Sequence, residues 1–394
     1  MSDERTPPSP APRPPEGFET PLHVGQLNLP AAEAFREAFD GIFDRRFFAN
    51  HGPLEQRLDR ELASLFGVRN AVSVVNATAA LMLVLRALDL DGEVIVPSFT
   101  FPATVQAVVW AGLRPVFCDI DPQTQTLTAA RVAPKIGPAT AAVLGVHIWG
   151  RGCDPLELEA LTASRGVKLV FDAAHAVGAT FRGRRFGGFG NAEVFSFHAT
   201  KILNGAEGGC ITTDDDDLAA RLRTMRSFHD TDERVPGLLR LNAKISEAQA
   251  AMTLLGLRSL DSLIEQNRHR YELYRSGIDG TPGIHFLDYA AGETSNHQFI
   301  VLSVSPAELG LSRDELLDLL QAKNVLARRY FFPGVHRTPP FCDEGMAELP
   351  ITDHLCQTLV QLPSGQAVTD ADVKRVCAII RWAATPEGRM AARA

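Results

Sequence analysis

The feature that most restricts the fold is an alternation that begins near residue 54 and runs to residue 214. Seven short apolar runs punctuate it: "NAVSVV" (70–75), "EVIVPS" (93–98), "RPVFCDI" (114–120), "TAAVLGVHIWG" (140–150), "VKLVFDAA" (167–174), "AEVFSFHA" (192–199) and "GGCITTD" (208–214). Most are separated by stretches of helical period. In "PLEQRLDRELASLFG", Leu54, Leu58, Leu62 and Leu65 form one stripe; "TAALMLVLRALDL" (78–90), "TFPATVQAVVWAG" (100–112) and "PLELEALTASRG" (155–166) follow. Apolar strands alternating with amphipathic helices imply a mostly parallel sheet covered on both faces. The expected class is α/β, with a large α/β/α domain over residues 21–269.

After "DDDDLAARLRTMRSFHD" the pattern changes. The spacing predicts one long helix over 246–278, bridging to a smaller C-terminal α+β domain over 270–394. There the strand "NHQFIVLSV" (296–304) and the helices around "SRDELLDLLQAKN" and "TDADVKRVCAIIRWAA" are shorter and further apart. The first 20 residues, rich in proline, read as a disordered arm. That arm lacks the apolar stretch of a secretory signal, and no apolar run is long enough to cross a membrane. Six cysteines without a C-x-x-C pair read as reduced thiols, so the expected setting is the cytoplasm. The 39 basic against 47 acidic residues disfavour a nucleic-acid surface or an anionic membrane surface.

Within "FSFHATKILNGAEGG", Lys201 follows an apolar strand and precedes a glycine-rich turn. A lysine drawn into a low-dielectric pocket loses basicity and becomes a usable amine nucleophile. The bland alternative is a solvated lysine at a strand end. Ligands of parallel sheets bind at the carboxyl ends of the strands, and four further groups fall there. Asp172 ends "VKLVFD" and could keep a pyridine nitrogen protonated, or simply cap the next segment. The turn "NATAAL" could cradle a phosphate on the N–H groups of Ala77, Thr78 and Ala79, or be an ordinary helix start. Ser196 could bond the same phosphate. Phe101 could cover a planar ring, or belong to the core. Together they describe a site for pyridoxal 5′-phosphate.

These segments resemble the DegT/DnrJ/EryC1/StrS aminotransferases, the sugar aminotransferases of the fold type I, aspartate-aminotransferase-like superfamily. The resemblance runs from about Asn50 to Arg381 and is densest in "FDAAHAVGATFRGRRFGGFGNAEVFSFHATK". It implies that Lys201 carries the cofactor as a Schiff base and that Asp172 pairs with the ring nitrogen. It also implies that His175 lies by the ring or its O3′, that Thr78, Ala79 and Ser196 bind the phosphate, and that Phe101 stacks on the ring. The segment "LNAKISE" matches one that completes the partner's site in a homodimer, so Asn242 and Lys244 are candidates in trans. Arginine is commoner where this chain has Lys244; a branch with lysine there contains nucleotide-sugar enzymes. Dehydratases of the family have histidine in place of the lysine, so Lys201 favours transamination.

The implied reaction moves an amino group from an amino acid, L-glutamate by expectation, through pyridoxamine phosphate to a keto group of a nucleotide-linked deoxysugar. "ARRYFFPGVHR" offers Arg328, Arg329, Tyr330 and His336 for the substrate pyrophosphate, or is a solvated basic loop. The alternatives are a relative acting on a non-sugar ketone, such as a cyclitol or a natural-product intermediate, and a non-catalytic regulatory protein that holds the cofactor. A nicotinamide dehydrogenase is disfavoured, because no G-x-G-x-x-G follows a strand. No metal site is expected.

Overall fold

Residue alternation along the strands sorts side chains onto two faces, and each face has its own core. In the strand ending at Asp172, Leu169 and Phe171 join one apolar cluster, and Val170 joins the other. The computed structural model describes residues 14–228, 238–289, 292–342 and 348–394. Its main sheet has seven strands: β1 (Asn70–Val74), β2 (Glu93–Pro97), β3 (Arg114–Cys118), β4 (Thr140–Val146), β5 (Lys168–Asp172), β6 (Ala192–Ser196) and β7 (Gly209–Thr213). Their order is β1-β7-β6-β5-β4-β2-β3. All neighbours are parallel except β7, which runs antiparallel to both β1 and β6. Helices cover both faces. The architecture is the expected α/β class with a mostly parallel main sheet.

A second sheet, β8 (Ile284–Phe286), β9 (Ile300–Val304) and β10 (Leu359–Leu362), is antiparallel and has a separate core. The expected single helix over 246–278 is two helices, Glu247–Leu257 and Leu260–Ile278, broken at Arg258 and Ser259. The second helix joins the two units. Leu260 and Leu263 enter the large core, while Tyr271, Tyr274 and Ile278 enter the small one.

Two further departures concern the chain's beginning. Residues 1–13 of the expected arm lie outside the described residues, but its end is not free. Phe18 is buried in the small-domain core and its N–H donates to the Lys323 carbonyl at 2.9 Å. Leu22 and His23 then pair in parallel with Val325 and Leu326, so this stretch belongs with the small domain and not the large one. The helix Ala32–Arg45 was also not expected; its Phe35, Phe39, Ile42 and Phe43 carry a helical spacing that could have revealed it. Among the described residues no helix is long and apolar enough to cross a membrane.

Candidate active site

The carboxyl ends of β1, β2, β4, β5 and β6 open onto one cavity of about 420 Å³. Asp172, the last residue of β5, is buried at its floor. Burial pushes its carboxyl above the usual range. Two donors oppose this: the Thr104 hydroxyl at 2.7 Å and the Ala174 N–H at 3.1 Å. Thr104 in turn shares a hydrogen bond with Thr100 at 2.8 Å.

Lys201 enters the cavity from the loop after β6. Burial lowers its amine to about 8, against the pull of the Asp172 carboxylate. Both flanks of the lysine are pinned. The Gln26 N–H donates to the Thr200 carbonyl, the Ile202 N–H to Gln298 Oε1, and Asn28 Nδ2 to the Ile202 carbonyl. These partners come from remote parts of the chain, and Val24 and Gly25 line the cavity beside them. Sequence reasoning missed this strap. Its only local sign is a run of side-chain amides, Gln26 and Asn28, in an otherwise featureless stretch.

At the opposite wall the helix Ala77–Ala87 begins. Its N-cap, Asn76, accepts the Ala79 N–H at 2.8 Å. Ala79 is therefore not a free donor, which corrects the expected set. Ala77 and Thr78 line the cavity at the positive end of the helix. Ser196 also lines it; its oxygen accepts the His198 N–H at 3.3 Å, which leaves the hydroxyl hydrogen to donate outward. Gly209 lets the backbone of this turn pack closely against β7. A Cβ there would lie 2.6 Å from the Phe195 carbonyl oxygen and 3.0 Å from the Ala77 nitrogen.

His175 Nδ1 accepts the Trp149 N–H at 3.3 Å, and burial followed by the Lys201 charge keeps the ring's pKa well below the ordinary value. A neutral ring bonded in this way carries its proton on Nε2. Phe101, 56% exposed, forms part of the cavity rim.

The basic loop divides. Arg328 and Tyr330 line the cavity. Arg329 does not; it lies over Phe332, pairs with Asp314 at 3.4 Å and lines a neighbouring cavity of about 400 Å³ that Arg328 also borders. His336 is buried, with Nδ1 2.6 Å from the Ser98 hydroxyl and Nε2 3.3 Å from Asp353. It ties the loop to the large domain and borders neither cavity, which removes it from the expected substrate set. Asn242 and Lys244 bond to each other at 2.7 Å and do not reach this chain's own cavity.

A family model matches residues 31–381: the DegT/DnrJ/EryC1/StrS aminotransferase family. The chain belongs to this aminotransferase family. It is similar to a dTDP-4-amino-4,6-dideoxy-D-glucose transaminase of Shigella dysenteriae, 34% identical over 81% of this chain and 86% of that one. It is also similar to a GDP-perosamine synthase of Caulobacter vibrioides, 32% identical over 86% and 92%. A crystal structure of DesI in the presence of its TDP-sugar product superimposes with a TM-score of 0.92 at 41% identity, covering 96% and 97% of the two chains.

An aminotransferase of this family uses pyridoxal 5′-phosphate. The residues fit that group. The helix start at Ala77 and Thr78, with Ser196 in the same cavity wall, suits a phosphate. A buried carboxylate suits a pyridinium, and an amine held near neutrality suits a carbonyl.

Proposed function

We propose that this aminotransferase transfers the amino group of an amino acid, L-glutamate by preference, to a keto carbon of a nucleotide-linked deoxysugar. One observation carries the catalytic part: an amine lowered to about 8 by burial in the same cavity as a buried carboxylate. The relatives' names carry the substrate class.

When bound, pyridoxal phosphate supplies a carbonyl that takes up the amine and a ring that accepts the electrons released with the α-proton. The chain's own residues do the rest. Ala77, Thr78 and Ser196 would hold the phosphate. Asp172, whose ionised form the Thr104 and Ala174 donors favour against burial, would hold the proton on the ring nitrogen. His175 would present Nε2–H to the ring's phenolic oxygen, and Phe101 would cover the ring. The Lys201 amine would take the α-proton of the donor and return it one carbon away, which needs a base with a pKa near the working pH. Arg328 and Tyr330 would meet the substrate. Arg329, at the neighbouring cavity, would take the pyrophosphate.

The working unit in this reading is a homodimer in which Asn242 and Lys244 complete the partner's phosphate site. The pairing of a half-buried Lys244 with the exposed Asn242, away from their own cavity, supports that. The six cysteines, all free, support a reducing compartment such as the cytoplasm.

The test is an assay of the purified protein with L-glutamate and a panel of nucleotide-linked 3-keto and 4-keto sugars alongside cyclic non-sugar ketones, following 2-oxoglutarate. Turnover confined to the non-sugar ketones would defeat the substrate assignment.

A further inference from the structure

The segment "NHQF" (296–299) leads into β9 of the small domain, and Asn296, Gln298 and Phe299 in it are buried. A buried amide is costly unless its groups are bonded, so the partners of the two amides are informative. Asn296 Nδ2 spends both its hydrogens, on the His175 carbonyl and on the Val177 carbonyl, each at 2.9 Å. Its Oδ1 accepts the Gln298 N–H at 3.1 Å. Gln298 Oε1 in turn accepts the Ile202 N–H, next to Lys201. The Phe299 ring centroid lies 4.3 Å from that of His175 and 5.8 Å from Lys201 Nζ. One short segment of the small domain therefore meets the surroundings of both His175 and Lys201.

His175 needs such support. It lies in a turn after β5, outside any helix or strand. Its Nδ1 is held by the Trp149 N–H, and Asn296 is the one partner of its carbonyl among the described residues. The chain is shaped to let these groups meet. Trp149 and Gly150 both have left-handed backbone, with φ of 59° and 77°. A Cβ on Gly150 would lie 3.0 Å from Asn296 Oδ1 and 3.3 Å from the His175 carbonyl oxygen, so only glycine allows this approach.

We infer that Asn296 is a positioning residue for His175: its amide clamps the turn at two carbonyls and so aims the imidazole Nε2–H at the cofactor. The inference rests on the reading that places His175 by the phenolic oxygen of the ring. The Trp149 bond fixes one point of the imidazole and leaves the turn free to pivot about it. Two carbonyls held by one rigid amide remove that pivot, and a hydrogen bond weakens steeply with angle. The charge that bears on His175 is that of Lys201 in the same cavity. The rings packed on it, Trp149, Phe299 and Phe331, carry none. Displacing the imidazole therefore weakens its donation without offering it another charged partner.

The experiment follows the absorption band of the bound cofactor against pH. A donor to the phenolic oxygen favours its ionised form, so weakening that donor raises the midpoint of the titration. Asn296→Leu, close in size but without donors, should raise the midpoint by about one pH unit, the scale of one hydrogen bond to a charged group. His175→Phe should raise it at least as far, and the double variant no further than His175→Phe alone. Melting temperature checks the fold; if the leucine variant does not fold, Asn296→Ala replaces it, since the space left can admit a water. A lowered melting temperature with an unmoved midpoint overturns the inference, as do additive shifts in the double variant. Nitrogen-15 NMR of the histidine-labelled enzyme separates the inference from the reading beneath it. If His175→Phe itself leaves the midpoint unmoved, His175 does not meet the phenolic oxygen. A His175 ring signal displaced in Asn296→Leu then still supports the positioning role, and an unchanged signal ends it.

Discussion

The Thr104 hydroxyl donates to Asp172 Oδ2 at 2.7 Å, and it is the one side-chain hydroxyl bonded to that carboxylate among the described residues. Burial already favours the neutral acid. Removing the donor in Thr104→Val should raise the carboxyl pKa further, so the ionised form is reached only at higher pH. Turnover should fall about 10- to 100-fold near neutrality, the scale of one hydrogen bond to a charged group, and the acid limb of the pH–rate profile should move upward. Thr104→Ser should restore most of the loss. An unmoved acid limb in the valine variant would show that Asp172 does not depend on Thr104.

Lys201 leads to a second pH prediction. In the apoenzyme its amine is about 8, lowered by burial, so the nucleophilic free base dominates only above that pH. The rate of cofactor capture should rise with pH between about 6.5 and 8.5 and then level off. Stopped-flow absorbance after mixing apoenzyme with pyridoxal phosphate measures it. A rate still climbing tenfold per unit towards pH 10 would mean that the amine keeps its solvated basicity.

Gly209→Ala should displace the backbone at Ala77 and so weaken cofactor binding by about 10-fold or more. The added Cβ meets the Phe195 carbonyl and the Ala77 nitrogen, at the corner where the phosphate is expected. Gly137→Ala is the control, since a Cβ there meets nothing within 4 Å. Fluorescence titration of the apo variants gives both dissociation constants, and equal values would place the phosphate elsewhere.

Mixing Lys201→Ala with Lys244→Ala tests the shared site. If Lys244 acts in trans, a heterodimer has one doubly damaged site and one intact site. Activity should then return towards a quarter of wild type in an equal mixture. No recovery from subunits shown by mass spectrometry to have exchanged would sink the trans assignment.

The sequence made the large sheet legible because its strands are short, apolar and evenly spaced by helices. All seven runs predicted between residues 70 and 214 contain a strand of the main sheet. Lys201, Asp172 and Ser196 were legible for the same reason: each sits at or just beyond a strand's carboxyl end. What stayed hidden depends on contacts between distant segments. Thr104 lies on a helix and acquires meaning only when β5 brings Asp172 to it. Asn296 is one polar letter in "SNHQF", and nothing local says that its amide reaches the His175 turn. His336 was misjudged because a basic loop in sequence can fold with one member turned inward, here onto Ser98. Ala79 was misjudged because its neighbour Asn76 claims its N–H.

The strap around Lys201 also orders events in time. Gln26 reaches the Gln298 carbonyl across 272 residues, and Asn28 reaches Ile202 across 174. On the ribosome, the main sheet can assemble while the segment bearing Gln298 is still unmade. The reactive loop must wait for it. Until then the flank of the lysine at Ile202 lacks its Gln298 anchor. Ribosome-stalled chains that end before Gln298 should therefore fail to retain pyridoxal phosphate, and retention should begin only once that segment has emerged. On that expectation, cofactor loading follows synthesis of the Gln298 segment.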